Sequence, residues 1–269
     1  MGFKESGMDF AAEPYVMKQR ISIALMVLTL CGSLSAAAQQ LDYMNFDRWS
    51  KSDGVWYPYP ASATDGHKIW DSANKGLSLL GINSTTPEYD HVAVAGKGKA
   101  AAKLESKKVL WAFVGGNLFT GHFEKVVGTS GAQISFGVPF HARPRSLSGY
   151  FHYIPGTVNY AKPPYAAMKG RQDQGFIEIF LTDWTEPYFI DSTKGNFLDI
   201  EKDPHVIGFG VLNLKEGSEG YIHFEIPIKY RNGKTPTHIV IICTPSRYGE
   251  FYTGSSKSVL YVDEFRLNY

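Results

Sequence analysis

Tyr221-Ile222-His223-Phe224-Glu225-Ile226 alternates apolar and polar side chains with period two. In an extended chain that spacing puts Ile222, Phe224 and Ile226 on one face and His223 and Glu225 on the other, as in a strand with one face in a core. Phe176-Ile177-Glu178-Ile179-Phe180-Leu181 repeats the pattern, with Ile177, Ile179 and Leu181 sharing a face. Residues 132–136, 149–153, 206–212, 237–244 and 259–267 are further strand candidates, and Asn232-Gly233 and Lys215-Glu216-Gly217 are turn signals between strands. No stretch after residue 40 offers an amphipathic helix of three turns. The composition agrees, since 16 Tyr, 17 Phe and 27 Gly suit strands joined by turns better than helices. The expected fold class is all-β, a two-sheet β-sandwich of jelly-roll type.

Towards the N-terminus the pattern changes. Lys18 and Arg20 precede an apolar run over 21–30, and Ser35-Ala36-Ala37-Ala38 follows, with Ala36 and Ala38 fitting an A-x-A cleavage rule. The run is shorter than the about 20 residues a bilayer-spanning helix needs. Residues 17–38 are therefore expected to be a signal peptide, and the mixed, partly acidic segment 1–16 an extension upstream of the natural start at Met17. Residues 39–269 are expected to form a single domain, long enough to bury about 70–75% of the unfolded chain's surface. The bulky Leu30 argues against a lipoprotein anchor at Cys31, and cleavage leaves Cys243 alone, so no intrachain disulfide forms. Cys243 ends the apolar run Ile239-Val240-Ile241-Ile242-Cys243 and is expected to be a buried, inert thiol. The expected location is the periplasm or the cell surface.

The charge balance, 27 Lys+Arg against 26 Asp+Glu, argues against a nucleic-acid partner, which calls for a basic excess on one face. There is no G-x-S-x-G elbow, no H-E-x-x-H and no Walker or dinucleotide glycine signature, and Gly96-Lys97-Gly98-Lys99 reads as a turn. The eight histidines are scattered singly, without the spacing of a zinc pair.

A family resemblance emerges from segments met in order. They are Asn45-Phe46-Asp47-Arg48-Trp49, Trp70-Asp71-Ser72-Ala73-Asn74, Gly98-Lys99-Ala100-Ala101-Ala102-Lys103-Leu104-Glu105-Ser106 and Gly116-Asn117-Leu118-Phe119-Thr120-Gly121. Phe136-Gly137-Val138-Pro139-Phe140 with Arg143-Pro144, Leu181-Thr182-Asp183-Trp184 and Ser258-Val259-Leu260-Tyr261-Val262-Asp263-Glu264-Phe265 complete the set. With these the chain resembles the putative carbohydrate metabolism domain family of exported Bacteroidetes proteins. The resemblance covers nearly all of residues 45–269 and implies a galactose-binding-like jelly roll. It starts almost directly after the signal, so no accompanying catalytic module is expected.

Sugar rings pack their C–H faces on aromatic rings, and their hydroxyls need planar polar partners. Trp184 meets this condition with Asp183 and Tyr188 nearby, and strand parity puts it on the face of Glu178, opposite Ile177, Ile179 and Leu181. Trp70 with Asp71 and Asn74 is a second candidate cluster, and Arg143 with Tyr150 a third. Each has a structural alternative, because tryptophan is commonly a core residue and Leu-Thr-Asp-Trp can cap a strand. The last strand resembles that of many sugar-binding jelly rolls, in which an aspartate at the position of Asp263 helps hold calcium. Asp47 or Glu105 would then supply further oxygens, the alternative being that Asp263 ends a strand and binds backbone or arginine.

The function these features favour is an exported, non-catalytic glycan-binding or glycan-handling module for a poly- or oligosaccharide, with no cofactor beyond such a calcium ion. One alternative is a glycoside hydrolase or lyase with two carboxylates about 5–10 Å apart, drawn from Glu178, Asp183, Asp191, Asp199 and Glu225. The other is a cell-surface assembly or adhesion domain that binds protein.

Overall fold

Segments with period-two alternation are strands. The computed structural model describes Met1 and residues 38–94, 98–110, 112–128 and 131–269. The expected extension over 1–16, the signal peptide over 17–38 and Cys31 lie outside the described residues, save for Met1 and Ala38, and so do Gly96 and Lys97. Gln40–Tyr269 is one compact unit.

In chain order the strands are β1 (Ser50–Ser52), β2 (Val55–Tyr57), β3 (Trp70–Asp71), β4 (Thr85–Glu88), β5 (Ala101–Glu105) and β6 (Lys107–Val109). Then come β7 (Ala112–Val114), β8 (Leu118–Val127), β9 (Gly131–Phe136), β10 (Val138–Pro139), β11 (Ser146–Ile154) and β12 (Gly175–Thr182). The last are β13 (Tyr188–Asp191), β14 (Val206–Leu214), β15 (Ile222–Pro227), β16 (Lys229–Tyr230), β17 (His238–Thr244) and β18 (Val259–Asn268). Among the described residues the α-helix is a single turn, α1 (Asn74–Leu77).

The larger sheet has nine strands, in the order β13-β9-β8-β17-β12-β14-β16, with β3 beside β8 and β10 beside β17. The smaller has five, in the order β15-β11-β18-β5-β4. Neighbours are antiparallel, so their sequence-distant partners are fixed by register: Ile177 faces Cys243, Ile179 faces Ile241 and Leu181 faces Ile239. These six residues have no exposed surface. They pack in one core with Leu147, Phe151 and Tyr153 of β11 and Leu260, Val262 and Leu267 of β18, which makes the molecule a β-sandwich. Each such aliphatic side chain contributes about 1.5–3 kcal/mol through burial. Burial also pushes the Cys243 thiol pKa upward, so this cysteine packs and does not react.

Two glycines permit close approaches. Gly121 of β8, at φ +139°, runs so near the backbone of Ser135 in β9 that a Cβ would collide with its carbonyl. Gly149 of β11 lies under Phe265, where the register of β11 and β18 slips between Ser148 and Tyr150. The bulge holds Glu264 at a left-handed φ of 51°.

The outer face of the larger sheet is also apolar. Phe180, Trp184, Val206 and Val240 form a second buried cluster there, joined by Phe136, Tyr188, Leu198, Ile200, Phe209 and Ile242. The connection from β12 to β14 folds back over this end of the face. The rest of the face floors a cleft.

Candidate functional site

Because Ile177, Ile179 and Leu181 point inward, Phe176, Glu178 and Phe180 must point outward from β12. The same parity turns Ile242 and Thr244 outward from β17, with Phe119 of β8 opposite Ile242. These side chains floor a cleft of about 790 Å³, walled by the segment 246–252 that follows β17 and by Tyr165, Phe197 and Leu198. The volume lies within the roughly 300–1,000 Å³ of small-molecule sites.

The wall is built of rings. Tyr165 and Tyr248 stack at 4.0 Å between centroids, 26° from parallel. Phe251 meets Tyr165 edge-on at 5.1 Å, and Phe197 lies 5.4 Å from Phe251. Lys162 holds its ammonium 5.0 Å from the centroid of Tyr252.

Among the described residues lining the cleft, Glu178, Arg247 and Glu250 are the charged ones. Desolvation pushes the Glu178 carboxyl up to about 7; Arg247 pulls it down and Glu250 adds to the rise. Glu250 is itself raised as protein displaces water around it, against the pull of Arg247. Arg247 is tied in place: its guanidinium donates to Asn213 Oδ1, its backbone N–H donates to the Gln174 carbonyl at 2.6 Å, and its Cζ lies 5.9 Å from the Phe176 ring centre. Tyrosine rings next to carboxyl and guanidinium groups can stack on a pyranose and hydrogen-bond its hydroxyls.

The clusters expected from sequence fare differently. Asp183, Trp184 and Tyr188 do come together, around a hollow of about 310 Å³ that also includes His205. Trp184, however, is only 7% exposed; Tyr188 stacks on it at 5.3 Å and Phe180 meets it edge-on at 6.0 Å. Asp183 is engaged by Lys234 at 2.5 Å and His205 at 2.8 Å, the Lys234 bond foremost in holding its carboxyl below the usual range. Glu178 belongs to the cleft and not to this hollow.

Trp70 is a correction. It is fully buried between Phe46 and Phe265, and its indole N–H donates to the Asp42 carbonyl at 2.8 Å, so it has no face to offer. Asp71 accepts the backbone N–H groups of Ser72 and Phe123, each at 2.8 Å, and burial pushes its carboxyl up to about 6. Asn74 donates to the carbonyls of Trp56 and Thr85 and accepts from the N–H groups of Ser84 and Thr85, which uses its full capacity. Arg143 and Tyr150 have different partners. Arg143 lies 3.9 Å over the Tyr230 ring and donates to the carbonyls of Asn232 and Lys234; Tyr150 meets His223 edge-on at 5.1 Å.

Of the carboxylates expected to join Asp263 around calcium, Asp47 comes near it, their oxygens 3.6 and 3.8 Å from the place a Cβ on Gly98 would take, and Glu105 is held elsewhere. Glu105 is paired at 3.2 Å with both Lys103 and Lys107, which outweigh burial and hold its carboxyl below the usual range. Asp47 accepts the N–H groups of Lys99 and Ala100. Asp263 accepts those of Ala93 and Glu264, and burial, with help from Glu264 and Asp47, pushes it up to about 7. Among the described residues no group of three or more His, Cys, Asp or Glu side chains is arranged to hold a metal ion.

Sequence reasoning missed the wall of the cleft. Arg247-Tyr248-Gly249-Glu250-Phe251-Tyr252 is a dense aromatic and charged run between two strands, the signal that could have found it. It also missed a histidine pair on the smaller sheet: His91 Nε2 and His152 Nδ1 are 2.8 Å apart, with His91 stacked on Tyr221. No helix among the described residues is long and apolar enough to cross a membrane.

The pattern described as "Putative carbohydrate metabolism domain" matches residues 45–268. No curated protein matches the chain. Among solved structures, a putative glycoside hydrolase from Bacteroides thetaiotaomicron is similar at 19% identity and a TM-score of 0.64, over 84% of this chain and 70% of that one. A putative glycoside hydrolase from Bacteroides vulgatus is similar at 20% identity and a TM-score of 0.59, over 83% of this chain and 96% of that one. At these identities the likeness is one of fold.

Proposed function

The chain belongs to the putative carbohydrate metabolism domain family, and from that premise we propose that it is a glycan-binding module whose saccharide lies in the cleft on the outer face of the larger sheet. The observation that carries this reading is the convergence of Tyr165, Tyr248 and Tyr252 with Glu178, Arg247 and Glu250 in one open cleft. A few stacking contacts at about 1 kcal/mol each imply micromolar to millimolar affinity. Arg247 offsets one carboxylate, and burial raises the Glu178 carboxyl to about 7, which favours its neutral form. The cleft therefore suits a neutral saccharide better than a polyanion. Immobilised plant and host polysaccharides provide the test: the mature domain is retained on a neutral glycan, and failure across the whole panel overturns the proposal.

One observation favours a second reading. Glu178 and Glu250 line the same cleft, and a carboxyl titrating near 7 has the pKa of a general acid for glycoside cleavage. Product formation from the retained glycan, lost in Glu178→Gln, would turn binding into catalysis; retention without turnover leaves a binding module. Export completes the proposal. It rests on the charged, apolar and small-residue order over 17–38, and it requires that the secreted or periplasmic protein begin at Gln39.

A further inference from the structure

The cleft has two chemically different halves. Its three charged side chains sit on β12 and on the segment after β17. Moving across the sheet, Glu178 faces Ile242 and Ile242 faces Phe119; farther along β8, Phe123 faces Ile134, and Ile134 faces Ile190 of β13. Four strand spacings of about 4.8 Å separate β12 from β13, so the floor runs roughly 19 Å from a carboxyl to an aliphatic end. Phe123, Val126, Ile134 and Ile190 line that far end beneath Leu77 and Leu80, and among the described residues no charged side chain joins them. Leu80 is 48% exposed and Val126 46%, so this apolar surface faces water.

A bare saccharide has no use for such a half. Its hydroxyls would leave water without finding partners there. An alkyl or acyl chain would gain from every methylene buried. The two halves belong to one continuous cavity, whose size fits one ligand with both parts. We propose, building on the glycan-binding reading, that the ligand is a neutral saccharide carrying an alkyl or acyl chain, with the sugar against Tyr248 and Glu178 and the chain over Phe123, Ile134 and Ile190.

Calorimetric titration of the mature domain with methyl, butyl and octyl β-glycosides of glucose, galactose and mannose, each below its micelle concentration, tests this. Affinity rises about fourfold per methylene while the chain is being buried, so butyl exceeds methyl by about tenfold or more, with an increasingly negative heat capacity change. Val126→Asp, at a position open enough to tolerate the change, lowers octyl glycoside affinity by about tenfold or more. Equal affinities along the chain series overturn the inference and leave the saccharide reading standing. Octyl tetraethylene glycol binding as tightly as the octyl glycosides overturns both, because the sugar then contributes nothing. The absence of binding by every probe overturns the inference, and retention on the polysaccharide panel then decides the saccharide reading by itself.

Discussion

Two places on the outer face of the larger sheet are rich in aromatic rings, and they differ in the room left beside the rings: hollows of about 310 and 790 Å³. Around Trp184 the rings are sealed: Tyr188 stacks on the indole, Phe180 meets its edge, and Asp183 is bonded to Lys234 and His205. Around Glu178 the rings stand beside a cavity of about 790 Å³, with a carboxyl pushed up to about 7. Both places start from outward residues of β12, two positions apart at Phe180 and Glu178. What separates them is how the connection to β14 packs: Leu198 and Ile200 sit on the Trp184 cluster, whereas Phe197 only borders the cleft that Glu178 lines. Aromatic content alone therefore does not mark a candidate site; rings beside polar groups around a cavity of ligand size do.

Substitutions sharpen this contrast. The largest effect is expected from Trp184→Ala, which empties a buried site and costs about 3–5 kcal/mol. Thermal unfolding then falls by about 10 °C, while glycan retention at temperatures below unfolding is unchanged. Glu178→Gln comes next and acts in the opposite direction. A carboxyl raised to about 7 in the folded state against about 4.5 unfolded binds its proton more tightly when folded, so it makes stability decline as pH rises from about 4.5 to 7. Glu178→Gln removes that decline, so between pH 5 and pH 8 the stability of the variant relative to the parent rises by about 2–3 kcal/mol, from about 1.4 kcal/mol per unit; chemical denaturation at the two pH values measures it.

Tyr248→Ala should lower affinity for the retained glycan by about 1 kcal/mol, roughly fivefold to tenfold, with little change in unfolding temperature. The smallest effect belongs to Asp183→Asn. Its partners are exposed, so the loss is under about 1 kcal/mol. Because the Asp183 carboxyl is held below its usual range, that stabilisation is present above about pH 4 and disappears as pH falls through the folded pKa. Denaturation of parent and variant at pH 3 and pH 7 compares them, and a difference that grows on acidification would contradict the assignment.

Much of this molecule is written in local pattern. Alternation placed β12, β14, β15, β17 and β18 within a residue or two, and parity put Glu178 opposite Ile177 without any tertiary information. The family resemblance over nearly all of residues 45–269 carried the same architecture, and the family pattern matches 45–268. Coverage was not legible, because whether an outward ring stays outside depends on a connection whose path is set by distant pairings. Trp70 illustrates this: its two-residue strand binds β8 and lies under Phe46 and Phe265, neither of which is near it in sequence. Glu105 shows the same limit for charges, since Lys103 and Lys107 on either side claim it before any distant carboxylate can. Arg247, Tyr248 and Glu250 were visible as a run but joined Glu178 only through the pairing of β12 with β17.

Affinity electrophoresis of Tyr248→Ala and Tyr188→Ala, run side by side in gels containing the retained glycan, tests the account most directly. Tyr248 lines the cleft and Tyr188 the hollow beside Trp184. Tyr248→Ala is expected to be retarded as if its affinity were about fivefold to tenfold weaker than the parent's, while Tyr188→Ala is retarded like the parent. Parent-like retardation of Tyr248→Ala together with weakened retardation of a folded Tyr188→Ala would contradict this.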